Sequence, residues 1–200
     1  MVTVQREHTW PSASWEEAEA FARHIADSRG CAIDGGIRET VIALNLLGLP
    51  TCQSCEGHLD YGLPYPWIDI ETNEFPAFKQ ALEDADREGL SEEEREAKGT
   101  QLMALAATLP SRSLLYTRLE NLLCTYQQQH LSIPEEWHII AHRSSPILFR
   151  IMPFCGYDAE EWPEDARAEK LARAQTAMQA LANWLREQWQ NRACLSSSGD

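Results

Sequence analysis

Long apolar runs are missing from this chain, and none approaches the roughly 20 residues that a membrane-spanning helix needs. The longest candidate, Val41 to Leu49, is broken by Asn45 and Gly48. The stretch Met1 to Trp10 carries Arg6, Glu7 and His8 in place of a basic start and an apolar core, so no secretion signal is expected. Basic residues are scarce as well: 17 Lys and Arg face 31 Asp and Glu, for a net charge of -14. Nucleic-acid binding draws much of its free energy from basic side chains that neutralise phosphates. No Lys/Arg cluster stands out, and the acid of Glu83 to Glu96 and Asp158 to Asp165 opposes a polyanion. A nucleic-acid partner is therefore disfavoured. Also absent are G-x-S-x-G, H-E-x-x-H, P-loop and EF-hand patterns, which removes several common enzyme classes.

What is present suits a soluble, cytoplasmic protein with no membrane partner. Two hundred residues, 44% hydrophobic and 24% charged, are enough for one domain with a sizeable core. Six cysteines, at positions 31, 52, 55, 124, 155 and 194, are expected to be reduced thiols. Cys124 falls in an apolar helix pattern and reads as a small core residue.

Periodicity and caps place the elements. Ser14, with Glu17 three residues on, marks a helix start, and that helix should run to about Ser28 before Gly30. Ile37, Val41, Leu44 and Leu47 share a face of a second helix ended by Gly48 and Pro50. Short strands are expected over Pro50 to Ser54 and Trp67 to Glu71, the latter with Ile68 and Ile70 on one face and Asp69 on the other. Helices follow over Glu74 to Glu88, Ser91 to Thr108 and Ser111 to Gln129. A hairpin spans Glu136 to Arg143 and Ile147 to Pro153, and a long helix runs from Pro163 to about Asn191. The economical assembly is α+β: a small, mostly antiparallel sheet of about four strands covered by several helices. One domain over residues 1–193 and a disordered tail over 194–200 complete the expectation.

The densest chemistry lies in Thr51-Cys52-Gln53-Ser54-Cys55-Glu56-Gly57-His58. Cys52, Cys55 and His58 have C-x2-C-x2-H spacing, which allows three ligands to a tetrahedral ion such as zinc, with Cys155 as fourth and His138 or His142 as weaker candidates. No second compact ligand pair accompanies them, so zinc is not the favoured cofactor. A second reading makes Cys55 a reactive thiol beside His58 and Glu56. A third makes the cysteines packing residues and His58 a turn cap. In a regular strand positions 52 and 55 face opposite ways, which argues against their pairing.

Asp34-Gly35-Gly36-Ile37, the helix with Leu44-Asn45, Gly48, Thr51 and then Ser54-Cys55-Glu56-Gly57-His58 resemble a pattern of bacterial and phage proteins with an S-C-x-G motif after a helix. More remotely, the stretch resembles the S-C-S-G-R motif of the tRNA wybutosine-synthesis methyltransferase family. Here Glu56 stands in place of that motif's serine and His58 in place of its arginine. The resemblance implies a site at Ser54 to His58 and keeps an RNA-modifying enzyme as a lesser alternative. No glycine-rich fingerprint for S-adenosylmethionine accompanies it.

Arg150 is the lone charge of Ile147 to Phe154 and needs a carboxylate or an anionic ligand if covered, with Asp69 as its natural partner. Tyr61, Tyr65 and Trp67 would form an aromatic wall beside His58 or fill the core edge. Asp34 reads as a helix cap. The leading expectation is a small-molecule or anion site, with Cys55, Glu56 and His58 as candidate catalytic groups and Arg150, Asp69 and Tyr65 as ligand-binding ones. Its alternative is a helical interaction module or homodimer using Trp184 and Trp189 of the last helix.

Overall fold

The computed structural model describes residues 10–11, 14–26, 30–72, 74, 77–78, 80–81, 83–84, 89–130, 139–145, 148–154 and 162–197; side chains at 140, 142–145 and 193–197 are left out of the description. Cys155 and His138 lie outside the described residues, as does much of the helix expected over Glu74 to Glu88. The elements run α1 (Trp15–Ala22), α2 (Arg38–Leu46), β1 (Thr51–Cys55), β2 (Trp67–Glu71), α3 (Glu92–Ala107), α4 (Pro110–Gln129), β3 (Ile139–Ser145), β4 (Leu148–Pro153) and α5 (Glu164–Ser197). The strands form one antiparallel sheet in the order β1-β2-β4-β3. The fold is thus α+β, with helices packed against the sheet.

Local chemistry accounts for the ends of the elements. At α1, the Ser14 hydroxyl accepts from the Glu17 N–H at 3.1 Å. The helix stops at Ala22, short of the expected Ser28, because Ala26 pairs with Ala32 in an isolated antiparallel bridge and the chain turns back at Gly30. Two hydrogen bonds close α2: Leu49 N–H to Leu44 C=O and Gly48 N–H to Asn45 C=O, both 2.9 Å, with Gly48 at φ +75°. This crossed pair satisfies the last carbonyls and needs a left-handed residue at Gly48. Ser91 and Glu94 form a reciprocal capping box at α3.

The core lies between one sheet face and the helices α2, α4 and α5. Ile68 and Ile70 of β2, Phe149 and Ile151 of β4 and Ile139 of β3 are fully buried there. Against them pack Ile42 and Leu44 of α2, Leu119 and Tyr126 of α4, and Met178, Leu181 and Leu185 of α5. Each such side chain contributes about 1.5–3 kcal/mol when removed from water, so this face is the main source of stability. A smaller cluster joins Tyr65, Met152, Trp162, Ala174 and Ala177.

Several expectations need correction. Cys124 is exposed on α4, because Leu123 and Tyr126 take the inward positions. Asp34 caps no helix: Ile37 is the N-cap of α2, and no side chain caps it. The last helix continues past Asn191 to Ser197. Trp184 is buried, its indole N–H donating to Gln129 Oε1 at 2.6 Å, and Trp189 packs on Trp15 at 5.9 Å between ring centroids. Trp184 belongs to the core, and Trp189 packs against it partly buried. No helix among the described residues is long and apolar enough to cross a membrane.

Candidate functional site

The site grows from the junction of α2 and β1. Asn45 on α2 donates to Thr51 Oγ1 at 2.7 Å and accepts from the Thr51 N–H at 3.2 Å, so the last turn of the helix holds the first residue of the strand. β1 then pairs with β2 in the register Thr51 to Ile70, Gln53 to Asp69, Ser54 to Ile68 and Cys55 to Trp67. Cys52 is the extra residue in the shift between Thr51 and Gln53. A bulge of this kind leaves one residue unpaired and re-aims those that follow.

The two cysteines do not come together. The Cys52 thiol turns to the Asp69 carbonyl at 3.7 Å. Loss of water around the sulfur, with the Glu71 and Asp69 carboxylates close by, pushes its pKa well above the ordinary thiol value. Cys55, at the end of β1, points elsewhere. Burial also raises its pKa, opposed by a hydrogen bond from the Gly57 N–H at 3.4 Å and reinforced by the Asp34 and Glu56 carboxylates. Neither thiol is thereby activated as a nucleophile near neutral pH.

Past Cys55 the backbone turns at Gly57, where φ is +83°. A β-carbon there would lie 2.6 Å from the Tyr65 carbonyl carbon and 2.8 Å from Leu171 Cδ1, so only glycine fits. The turn is held from three sides. The His58 N–H donates to Leu63 C=O at 3.2 Å, Gln175 on α5 donates to Glu56 C=O at 3.1 Å, and the Glu56 N–H donates to Asp34 Oδ2 at 3.1 Å. The Glu56 carboxylate is itself committed, accepting from the Gly36 N–H at 2.7 Å.

These bonds bring Asp34 to the thiol and the imidazole. One ligand-type atom from each of Asp34, Cys55 and His58 lies within 4.8 Å of the other two, and Asp34 Oδ2 is 3.4 Å from His58 Nε2. All three residues are partly exposed. Tyr61, 65% exposed, lies on the imidazole with ring centroids 4.2 Å apart and its hydroxyl 3.1 Å from Nε2. The corner thus brings a carboxylate, a sulfur and an imidazole together, with an exposed phenol stacked on the imidazole.

Of the predicted site residues, Cys55 and His58 come together; the Glu56 carboxylate turns to the Gly36 N–H, and Cys52 does not join them. Asp34 is the member that sequence reasoning assigned to another role, although it stood in the motif that pointed here. Cys155 lies outside the described residues, and so does the His142 side chain. Arg150, Asp69 and Tyr65 form a different arrangement. Arg150 makes a two-pronged pair with Asp69, Nε to Oδ1 and Nη2 to Oδ2, both 2.8 Å, and its guanidinium sits 4.1 Å from the Trp67 ring centroid. The hydrogen bonds to Asp69 raise the Arg150 pKa further, so the guanidinium stays charged. Tyr65 is buried in the second apolar cluster.

No family model matches the chain, and comparison with curated proteins and with solved structures gave no match.

Proposed function

We propose that the Asp34–Cys55–His58 corner binds a small ligand, and that this ligand is a cation or a hydrogen-bond donor rather than an anion. The observation that supports it is the convergence of three polar side chains from a loop, a strand end and a turn, held by backbone hydrogen bonds. Two carboxylates, Asp34 and Glu56, set the local charge there. The arginine that would hold an anion, Arg150, instead answers Asp69. An exposed tyrosine stacked on the imidazole offers a flat wall to an organic cation.

A ligand-observed NMR screen of small amines, guanidinium and imidazolium compounds against the metal-free protein tests this reading. Binding by one or more of them should be lost in Asp34→Asn and in His58→Gln, with each melting temperature within about 3 °C of the parent, as befits a change below 1 kcal/mol. Equal binding by parent and variants, or a collapse of stability in both variants, would return the corner to a purely structural role.

A further inference from the structure

We infer that the cation this corner is built for is a transition-metal ion of the zinc class, held by Asp34 Oδ2, Cys55 Sγ and His58 Nε2. The inference rests on the reading of the corner as a cation site and makes it specific. The donor set carries the chemistry. Sulfur and imidazole select zinc and its neighbours over magnesium and calcium, which take oxygen ligands. Bond lengths near 2.0–2.3 Å to O, N and S in a tetrahedron put ligand atoms about 3.3–3.8 Å apart. The Asp34 Oδ2 to His58 Nε2 separation of 3.4 Å already fits, and the three donors lie within 4.8 Å, so closure needs only small side-chain rotations.

The surroundings supply what such a site needs next. The Glu56 N–H bonded to Asp34 Oδ2 orients the carboxylate, as outer hydrogen bonds do in metal sites. The Gln175 amide pins the Glu56 carbonyl and so the turn between two of the donors. The Tyr61 hydroxyl now bonded to Nε2 would be displaced by the ion and remain above it. On binding, the Cys55 S–H bond breaks, its proton passes to solvent, and the thiolate pair forms the metal bond. Three protein donors and an exposed side leave a fourth position for water or a substrate atom, the arrangement of catalytic rather than structural zinc.

The test is a cobalt(II) titration of the full chain, purified without a metal-affinity tag and stripped with chelator. Cobalt should bind at one ion per chain with a thiolate-to-cobalt charge-transfer band and the intense visible bands of a tetrahedral ion, and zinc should bleach both. Cys55→Ser should lose the charge-transfer band, and Asp34→Asn and His58→Gln should each weaken binding at least about 10-fold. A Cys31→Ser, Cys124→Ser double variant should behave as the parent, since both thiols are exposed and outside the cluster. Circular dichroism checks the fold of each variant; if Cys55→Ser does not fold, His58→Gln carries the test. No charge-transfer band in the parent, or a band that survives both Cys55→Ser and His58→Gln, overturns the inference. Asp34-dependent amine binding without cobalt binding sinks the metal and leaves the cation site standing. Loss of both removes the two readings together.

Discussion

Two polar clusters lie near β2, and they differ in how tightly their groups are paired and covered. In the sheet, Asp69 and Arg150 face each other across β2 and β4 with two 2.8 Å hydrogen bonds, and Trp67 covers the guanidinium. Every strong group there has an internal answer. At the corner, ligand-type atoms of Asp34, Cys55 and His58 lie within 4.8 Å of one another, with Asp34 Oδ2 3.4 Å from His58 Nε2. The first arrangement is closed, with Asp69 only 5% exposed. The second is partly exposed, and its three groups take their hydrogen bonds from the Glu56 N–H, the Gly57 N–H and the exposed Tyr61 hydroxyl. A charge that looks functional in sequence is more often retained by the fold when its partner is built in. A partly exposed cluster that brings a carboxylate, a thiol and an imidazole together is the better place to seek a ligand.

The largest expected effect strikes the backbone that creates the corner. Gly57→Ala forces a β-carbon against Tyr65 backbone and Leu171 at a positive φ, and should cost about 4 kcal/mol or prevent folding. Gly62→Ala, also at positive φ but with open space around it, should cost only about 1–2 kcal/mol in the same urea titration. Equal losses would mean that the turn is not held as tightly as these contacts require.

Next comes the closed cluster. Arg150→Met strands the Asp69 carboxylate and should destabilise by about 3 kcal/mol, whereas the double variant Asp69→Leu, Arg150→Met should recover much of it. If the single variant costs no more than Asp34→Asn, the contrast between the two regions fails. That corner substitution is expected to stay below about 1 kcal/mol.

The smallest effect concerns Cys52, whose residue is exposed while its sulfur is turned inward beside two carboxylates. Its raised pKa favours the neutral thiol in the folded state. That contribution is fully present below the ordinary thiol value of 9.0 and declines as pH rises above it, because the unfolded chain then loses the proton first. Mass-spectrometric mapping of iodoacetamide labelling at pH 8 should find Cys52 modified more slowly in the folded than in the urea-unfolded chain. Equal rates would show the sulfur to be freely solvated.

Much of the fold was legible because it depends on neighbours in the chain. The Ser14 and Ser91 caps, the stop at Gly48, the alternation of Trp67 to Glu71 and the hairpin all follow from residues within a few positions of one another. The location of the candidate site was legible too, since Gly57 and His58 stand beside Cys55. The end of α1 was misjudged because the Ala26 to Ala32 bridge competes with helix continuation. Cys124 was misplaced because Leu123 competes for the same inward direction, and a helical stripe some 100° wide does not decide between adjacent positions.

By itself, then, the sequence determined the elements, their α+β class and the short stretch where chemistry collects. Only the tertiary structure decided which side chains share a point. The Cys52 thiol turns to the Asp69 carbonyl and away from Cys55, and the loop after α1 brings Asp34 in its place, 22 positions from the N–H it accepts. The register of β2 against β4 likewise turns Arg150 from a candidate anion holder into the partner of Asp69. Side-chain direction in a sheet alternates every residue, so the register and its bulge fix which neighbour each side chain meets. Convergence across distant segments is set by packing, which no window of the sequence contains.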